Sequence, residues 1–145
     1  MSSNIDRQSQ IPRVEKTDAR IKVIFNDTVL AETDTPVLVL EFGLPPVYYI
    51  PKEDVKMEYL RLSDRQTHCS WKGDANYFDI SVDNKTARNA AWIYPDPKKR
   101  FQTGRDHLAF YPGKLDACYV NGKKVVHPEK ATFTGWITEE EQTGN

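Results

Sequence analysis

Apolar and polar residues alternate along most of the chain, and this period of two is typical of β-strands. A first alternating stretch runs from Ile21 to Phe25, and the apolar pattern resumes at Val29. Between them, Asn26-Asp27 supplies residues that adopt the left-handed backbone of a tight turn. The pattern therefore predicts a β-hairpin at the start of the folded part.

Two further hairpins are predicted in the same way. Phe78 to Val82 alternates, Asp83-Asn84 follows as a turn, and Thr86 to Tyr94 is the expected partner strand. A strand from Ala117 to Val120 ends at Asn121-Gly122, a strong two-residue hairpin signal. Three hairpins favour an all-β fold.

The remaining segments add strands and little helix. Val37 to Leu40 is a continuous apolar run, typical of a strand covered on both faces, and His107 to Tyr111 reads as another strand. The best helix candidate is Lys52 to Tyr59, where Pro51 suits a first helical position. The loop from Pro95 to Arg105 has room for one short helical turn. We therefore expect a β-rich fold with one or two short helical turns.

The length of 145 residues suits a single domain with one core. Residues 1–18 lack periodicity and are expected to form a flexible arm, residues 19–138 the β-rich domain, and residues 139–145 a frayed tail.

Charge and composition exclude several classes of function. Twenty Lys and Arg residues nearly balance 21 Asp and Glu residues, so no net field attracts nucleic acid. No apolar run is long enough to cross a membrane, and the N-terminus has no secretory h-region. Cys69 and Cys118 are too few for a disulfide framework and lack zinc-site spacing, so we expect a cytoplasmic protein without a metal.

The common cofactor motifs are missing from the sequence. It contains no Gly-x-Gly fingerprint, no Gly-Lys-Ser/Thr phosphate loop, no Asp-x-Asp pair and no Gly-x-Ser-x-Gly elbow. We therefore expect no cofactor.

Three titratable residues in the middle third are the catalytic candidates. Histidine is a residue type that exchanges protons near neutral pH, so His68 can act as a general acid or base. Asp54 would orient it, and Lys72 or a tyrosine hydroxyl would stabilise a developing oxyanion. If the chain is extended from Thr67 to Trp71, His68 and Lys72 lie on one face. The alternative, which the isolated residues favour, is a hydrogen-bonded structural histidine beside a turn.

Four aromatic residues are the candidate ligand contacts. Tyr48, Trp71, Trp92 and Tyr94 have apolar rings with a polar tip, which line either a cavity or a core with satisfied polar groups. For each ring alone, core packing is the more common role.

Several segments, in the same order along the chain, resemble the domain-of-unknown-function family 427 (DUF427) over about residues 14–138. The matching segments are Leu44-Pro45-Pro46-Val47-Tyr48-Tyr49-Ile50-Pro51, Asp54-Val55, Ser63-Asp64-Arg65, Thr67-His68-Cys69, Trp71-Lys72-Gly73-Asp74-Ala75, Ala90-Ala91-Trp92, Tyr94-Pro95, Leu108-Ala109-Phe110-Tyr111 and Gly135-Trp136. Ser70 departs from the family pattern, in which a proline is expected.

The resemblance implies a β-tent-like fold, in which two antiparallel sheets meet at one edge and open at the other. Many β-tent proteins hold zinc with two cysteine pairs, but two cysteines cannot do so, and structural zinc is not expected. A nucleotidyltransferase label sometimes attached to the family finds no support here, because the Asp-x-Asp pair is missing. The resemblance brings no established catalytic residues.

Three functions remain open. The first is a small-molecule-binding domain with an aromatic and histidine pocket. The second is a cofactor-free isomerase, lyase or hydrolase that uses His68, and the third is a structural or interaction module. A small-molecule ligand is the expected partner, nucleic acid and membrane are not, and a homodimer is left open.

Overall fold

The computed structural model describes residues 11–126 and 130–139, which form one all-β domain of two antiparallel sheets. The described strands are β1 Arg13–Lys16, β2 Ile21–Phe25, β3 Thr28–Thr33, β4 Val37–Leu40, β5 Val47–Pro51, β6 Leu60–Cys69, β7 Gly73–Val82, β8 Lys85–Ile93, β9 His107–Phe110, β10 Ala117–Val120 and β11 Lys123–Lys124. The larger sheet has the order β1-β4-β5-β9-β8-β7-β6, and the smaller has the order β11-β10-β2-β3. The predicted fold class, with two antiparallel sheets, is confirmed.

The three predicted hairpins are present, and their turns have the expected backbone. Asn26 and Asp27 have φ of 49° and 62° between β2 and β3, and Asp83 has φ of 54° between β7 and β8. Asn121 and Gly122, with φ of 53° and 80°, connect β10 to β11. Asn and Asp tolerate this left-handed region better than other residues with a side chain, which is why the sequence signal was reliable.

Three strands were not predicted. Strand β1 lies inside the segment expected to be a loose arm, and it pairs with β4 at the edge of the larger sheet. Strand β6 forms the other edge, and β5 follows the Pro45-Pro46 pair. Edge strands bury one face at most, so their polar residues hide the alternation. Residues 1–10 of the expected arm and 140–145 of the expected tail lie outside the described residues.

The expected helical turns are all 3-10 helices. The segment Lys52 to Tyr59 forms two of them, Lys52–Asp54 and Met57–Tyr59, because Val55 between them pairs with Ala31 of β3. The loop after β8 contains the 3-10 helix Lys99–Gly104, and Pro112–Lys114 forms another.

The inter-sheet core fills the space between the two sheets. Its fully buried members come from both sheets, for example Ile50 and Leu108 from the larger sheet and Val23 and Leu30 from the smaller. Trp136, after the last strand, is 1% exposed and donates its indole N–H to the Phe110 carbonyl at 3.3 Å.

A second core, which we call the aromatic cluster, lies on the other face of the larger sheet. Neighbours along a strand point to opposite faces, so Tyr49 and Trp92 face this cluster while Ile50 and Ile93 face the inter-sheet core. The buried members of the aromatic cluster are Val37, Val39, Tyr49, Ala75, Tyr77, Trp92, Tyr94, Phe101, Ala109 and Tyr111. Phe101 comes from the loop between β8 and β9, on the 3-10 helix Lys99–Gly104. The central strands of the larger sheet are thus buried on both faces, whereas its edge strands β1 and β6 are largely exposed.

A membrane-spanning helix is not found in either described range, 11–126 or 130–139.

Candidate functional site

His68 lies near the end of edge strand β6 and forms a close pair with a carboxylate on β7. The two residues are directly opposite each other in the antiparallel register, and Nδ1 of His68 lies 2.6 Å from Oδ1 of Asp74. A carboxylate only accepts, so Nδ1 donates its hydrogen to it and Nε2 is left to contact other molecules. The side chains of His68 and Asp74 are 61% and 82% exposed, so the pair contributes little to stability and its effect is to orient the ring. This is the geometry of an oriented, accessible histidine.

The His68–Asp74 pair faces a surface cleft of about 570 Å³. The cleft is lined by Gln66, Thr67, His68, Asp74, Asn76, Pro95 and Asp96. All but Pro95 carry hydrogen-bonding or charged side chains, so the cleft suits a polar molecule.

The cleft belongs to the inter-sheet face of the larger sheet. Asn76 pairs with Ile93 of β8 and lies two residues before Phe78, and both Ile93 and Phe78 belong to the inter-sheet core. Residues two apart on a strand, or directly opposite on neighbouring strands, share a face. His68 and Asp74 therefore lie beyond the buried part of that core, where the face becomes accessible.

Asp54, the predicted orienting carboxylate, occupies a different place. It ends the 3-10 helix Lys52–Asp54, which contacts β3, whereas the carboxylate bonded to His68 is Asp74. The structure therefore does not bring Asp54 together with His68.

Lys72 lies in the turn between β6 and β7, in contact with a carboxylate from the loop after β4. Its Nζ is 2.9 Å from Oε1 of Glu41, and its side chain is 11% exposed against 26% for Glu41. Trp71 donates its indole N–H to the other oxygen of the same carboxylate, at 3.2 Å. The Lys72 ammonium also lies 5.1 Å from the Trp71 ring and 5.8 Å from the Tyr94 ring, within cation–π range. Glu41 thus fixes the turn through both of its oxygens.

The expected alternation from Thr67 to Trp71 stops at Cys69, where β6 ends. Ser70, Trp71 and Lys72 form a turn, so Trp71 and Lys72 both reach Glu41 and do not point to opposite faces. The turn is tied to the next loop, because Lys98 donates its backbone N–H to the Lys72 carbonyl at 2.9 Å.

Trp71, Trp92 and Tyr94 converge in the aromatic cluster, and Phe101 lies between them. The Phe101 ring is 5.2–5.6 Å from the rings of Tyr49, Trp71 and Tyr94, each in an edge-on arrangement. Trp92 donates its indole N–H to the Tyr49 hydroxyl at 3.2 Å. Three of the four rings predicted as ligand contacts therefore lie in one cluster, packed against Phe101, and their role as ligand contacts stays a prediction.

Tyr48 lies apart from these rings. It packs against the inter-sheet core, with its ring 5.9 Å from that of Trp136 in an edge-on arrangement. It follows that the seven candidate residues do not form one pocket. His68 faces the inter-sheet side, and the Trp92 and Tyr94 rings face the other.

Burial shapes the chemistry of the phenols in the aromatic cluster. Desolvation raises the pKa of Tyr49, partly offset by the Trp92 hydrogen bond, and desolvation also raises the pKa of Tyr94. Burial and, to a smaller extent, the neighbouring Tyr77 raise the pKa of Tyr111 to about 12. These hydroxyls hold their protons at neutral pH and act as hydrogen-bonding groups.

The remaining histidines and cysteines are placed separately. His107 begins β9 and contacts the Arg105 carbonyl through Nδ1 at 2.7 Å, and His127 lies outside the described residues. Cys118 is buried in the inter-sheet core, where desolvation raises the pKa of its thiol, and Cys69 is half-buried at the aromatic cluster. In the two described ranges, no three His, Cys, Asp or Glu side chains lie close enough together to hold a metal ion.

Sequence reasoning missed three residues that organise these sites: Asp74, Glu41 and Phe101. A hairpin turn at Ser70–Lys72 places Asp74 opposite His68, so recognising that turn would have revealed the pair. Glu41 and Phe101 come from loops that are distant in sequence from most of the residues they contact, and no local sequence pattern indicates those contacts.

Comparison with known proteins identifies the family. None of the curated proteins compared with the chain matches it. A family model described as "Domain of unknown function (DUF427)" matches residues 13–121, from the start of β1 to the turn after β10. With three quarters of its length matched by that model, the chain belongs to the DUF427 family.

Proposed function

We propose that this domain binds a small polar molecule in the cleft beside His68. The observation that carries the proposal is the 2.6 Å pair of His68 and Asp74 at the wall of a cleft lined mostly by hydrogen-bonding side chains. Ligand sites combine a concave surface with a few convergent polar groups, and this cleft has both.

The cleft residues are held in position from behind. Thr67 bonds the hydroxyl of Tyr77 at 3.0 Å, and Tyr77 is a buried member of the aromatic cluster. Pro95 directly follows Tyr94, whose ring packs on Phe101. In this proposal the aromatic cluster, with Trp71 and Trp92, supports the cleft and does not contact the ligand directly. Rigid support of this kind favours binding because less freedom is lost when the ligand arrives.

The charges of the cleft limit the ligand. Asp74 and Asp96 are acidic, while His68 is the one basic group among the lining residues. Neutral polyols, sugars and small amines therefore suit it better than organic anions, which the two carboxylates repel.

A thermal-shift screen of sugars, polyols, amino acids and amines tests the proposal, followed by NMR mapping of any hit. We expect the amide signals of Thr67, His68 and Asn76 to move on binding. His68→Gln should weaken binding about tenfold, as expected for a lost hydrogen bond to a charged or polar ligand. Asp83→Asn is the matched control and should leave binding unchanged, since Asp83 lies in the turn between β7 and β8, at the opposite end of β7 from Asp74. A hit that binds equally well to the His68→Gln protein would refute the site.

A second candidate function is proton transfer by the same pair. The specific observation is that Asp74 contacts Nδ1 of a His68 side chain that is 61% exposed, so that Nε2 takes no part in this bond, as in general acid–base sites. In this role Asp74 takes the place that was predicted for Asp54. The test is turnover of ester and α-proton exchange substrates at pH 6–8. His68→Gln should lower any activity by about 10²- to 10⁴-fold, and Asp74→Asn should lower it by less. Activity in both variants equal to that of the unchanged protein would exclude this function.

A further inference from the structure

A larger cavity, of about 820 Å³, lies on the other face of the seven-stranded sheet from His68. Its lining residues are Lys16, Thr17, Thr35, Val37, Pro51, Lys52, Glu53, Met57, Arg105, Asp106 and His107. Val37 is a member of the aromatic cluster, and Pro51 lies two residues after Tyr49 on β5. The cavity therefore borders the face that carries the aromatic cluster, at the end of strands β4, β5 and β9, although Met57 of its lining packs against the inter-sheet core.

The floor of the cavity is apolar and fixed by strand pairing. Pro51 is directly opposite His107, and Val37 is directly opposite Tyr49. Lys52 donates its backbone N–H to the Asp106 carbonyl at 2.8 Å, which holds the rim next to His107. Asp106 has a φ of 60°, a left-handed conformation that turns the chain at this point. The volume lies within the range of sites that enclose a small organic molecule.

Positive charge predominates on the rim. The lining contains three cationic side chains, Lys16, Lys52 and Arg105, and two carboxylates, Glu53 and Asp106. Among the described residues, no carboxylate lies within 4.0 Å of the Lys16 or Lys52 ammonium. These two ammonium groups are therefore free to pair with a ligand.

Arg105 and His107 add directed hydrogen-bond donors. The guanidinium of Arg105 is 3.6 Å from Asp96, a carboxylate that is 98% exposed, so this ion pair is weak and leaves donors available. Nδ1 of His107 lies 2.7 Å from the Arg105 carbonyl and must donate to it, which leaves Nε2 for a ligand. An apolar floor below a cationic rim fits an organic acid better than a sugar or an amine.

We propose that this cavity binds a small organic anion, with its apolar body on Val37, Pro51 and Met57 and its acidic group between Lys16, Lys52 and Arg105. The site is separate from the His68 cleft, and its failure would leave the function proposed there unaffected.

The test uses three probes on the full chain: 2-naphthoate, its neutral analogue 2-naphthamide, and inorganic phosphate. NMR titration of the ¹⁵N-labelled protein gives both the affinity and the position of binding. We expect saturable shifts for 2-naphthoate at Thr17, Thr35, Lys52 and His107. Binding of 2-naphthamide should be about two- to fivefold weaker, since one exposed charge contact contributes up to about fivefold. Phosphate should bind more weakly than 2-naphthoate because it lacks an apolar body.

Charge-removing variants locate the acidic group. Lys52→Gln and Lys16→Gln should each weaken 2-naphthoate about two- to fivefold, and both side chains are exposed, so neither change should unfold the protein. Lys124→Gln, an exposed lysine on β11 of the smaller sheet, is the matched control and should change nothing. The proposal is overturned if 2-naphthoate gives no saturable shifts, if the shifts map to another surface, if 2-naphthamide binds equally well, or if the Lys124→Gln protein loses as much affinity as the Lys52→Gln protein.

Discussion

Phe101 and Gly104 offer a sharp test of how the aromatic cluster is built. Phe101 is 0% exposed, and three aromatic rings surround it at 5.2–5.6 Å. Replacing a fully buried phenylalanine by alanine removes its transfer free energy and leaves a cavity. We expect Phe101→Ala to lower the free energy of unfolding by about 4 kcal/mol. The melting temperature should fall by about 8–16 °C for a domain of this size.

Gly104 is in direct contact with the same ring. A Cβ at position 104 would lie 2.8 Å from Cε1 of Phe101 and closer still to Cζ. Because the ring is enclosed by other rings, it cannot move aside without disturbing them. Gly104→Ala should therefore cost about 2 kcal/mol through overpacking.

The two changes should couple strongly when combined. In the Phe101→Ala background the obstructing ring is gone, so Gly104→Ala should be neutral or slightly stabilising, as expected when glycine is replaced at a permitted backbone conformation. The coupling free energy should reach about 2–3 kcal/mol. Urea unfolding of the four proteins, followed by tryptophan fluorescence, measures it. Phe42→Ala is the control, since that ring is 60% exposed and should cost less than about 0.5 kcal/mol. An equal cost of Gly104→Ala in both backgrounds would refute this account of the packing.

Three further predictions concern charge and ionisation. Lys72→Met should lower the free energy of unfolding by about 2 kcal/mol, a value between those for exposed and buried pairs, because it leaves the partly buried Glu41 carboxylate without its cation. Adding Glu41→Gln should recover part of that loss in the same urea assay. An unchanged urea midpoint for Lys72→Met would contradict this prediction. Cys118 is 2% exposed and burial raises the pKa of its thiol, so Ellman's reagent at pH 8 should modify Cys69 first and Cys118 only on unfolding, whereas equal rates would show that the core opens readily. Burial raises the pKa of the tyrosines in the aromatic cluster, to about 12 for Tyr111, so the free energy of unfolding should be unaffected by these groups below pH 10 and fall as pH rises towards 12. Absorbance at 295 nm should show these phenols ionising together with unfolding. Gradual ionisation of the folded protein would count against this prediction.

The sequence predicted the parts of this fold that local chemistry determines. The Asn26-Asp27 and Asn121-Gly122 turns adopt the left-handed backbone that their residues favour, and strands β2 and β7 show the alternation that burial of one face produces. Strand β6 was missed because it is an edge strand with exposed polar residues on both faces along much of its length. Nothing in its own composition distinguishes such a strand from a loop, because its conformation comes from hydrogen bonds to β7.

The candidate site depended on information that the sequence does not hold locally. Residue types identified His68 as a proton-transfer group, but its partner depends on register, and a turn at Ser70–Lys72 selects Asp74 where Asp54 was expected. The choice between core and cavity for Trp92 and Tyr94 likewise depended on a residue from another segment of the chain. Phe101, from a loop, fills the space beside them.

The two faces of the larger sheet explain why the residues of the one predicted pocket are divided between the His68 cleft and the aromatic cluster. Alternation along β7 sends Asp74 and Asn76 to the inter-sheet face and Ala75 and Tyr77 to the aromatic cluster. A polar group and an aromatic ring that are adjacent in sequence are therefore separated by the thickness of the sheet. The His68 cleft is left with polar walls and a negative charge, and the cavity beside His107 has an apolar floor and a positive rim. Under the two proposals, an amine that binds the His68 cleft should be rejected by the positive rim of the cavity, and an organic anion that binds the cavity should be rejected by Asp74 and Asp96.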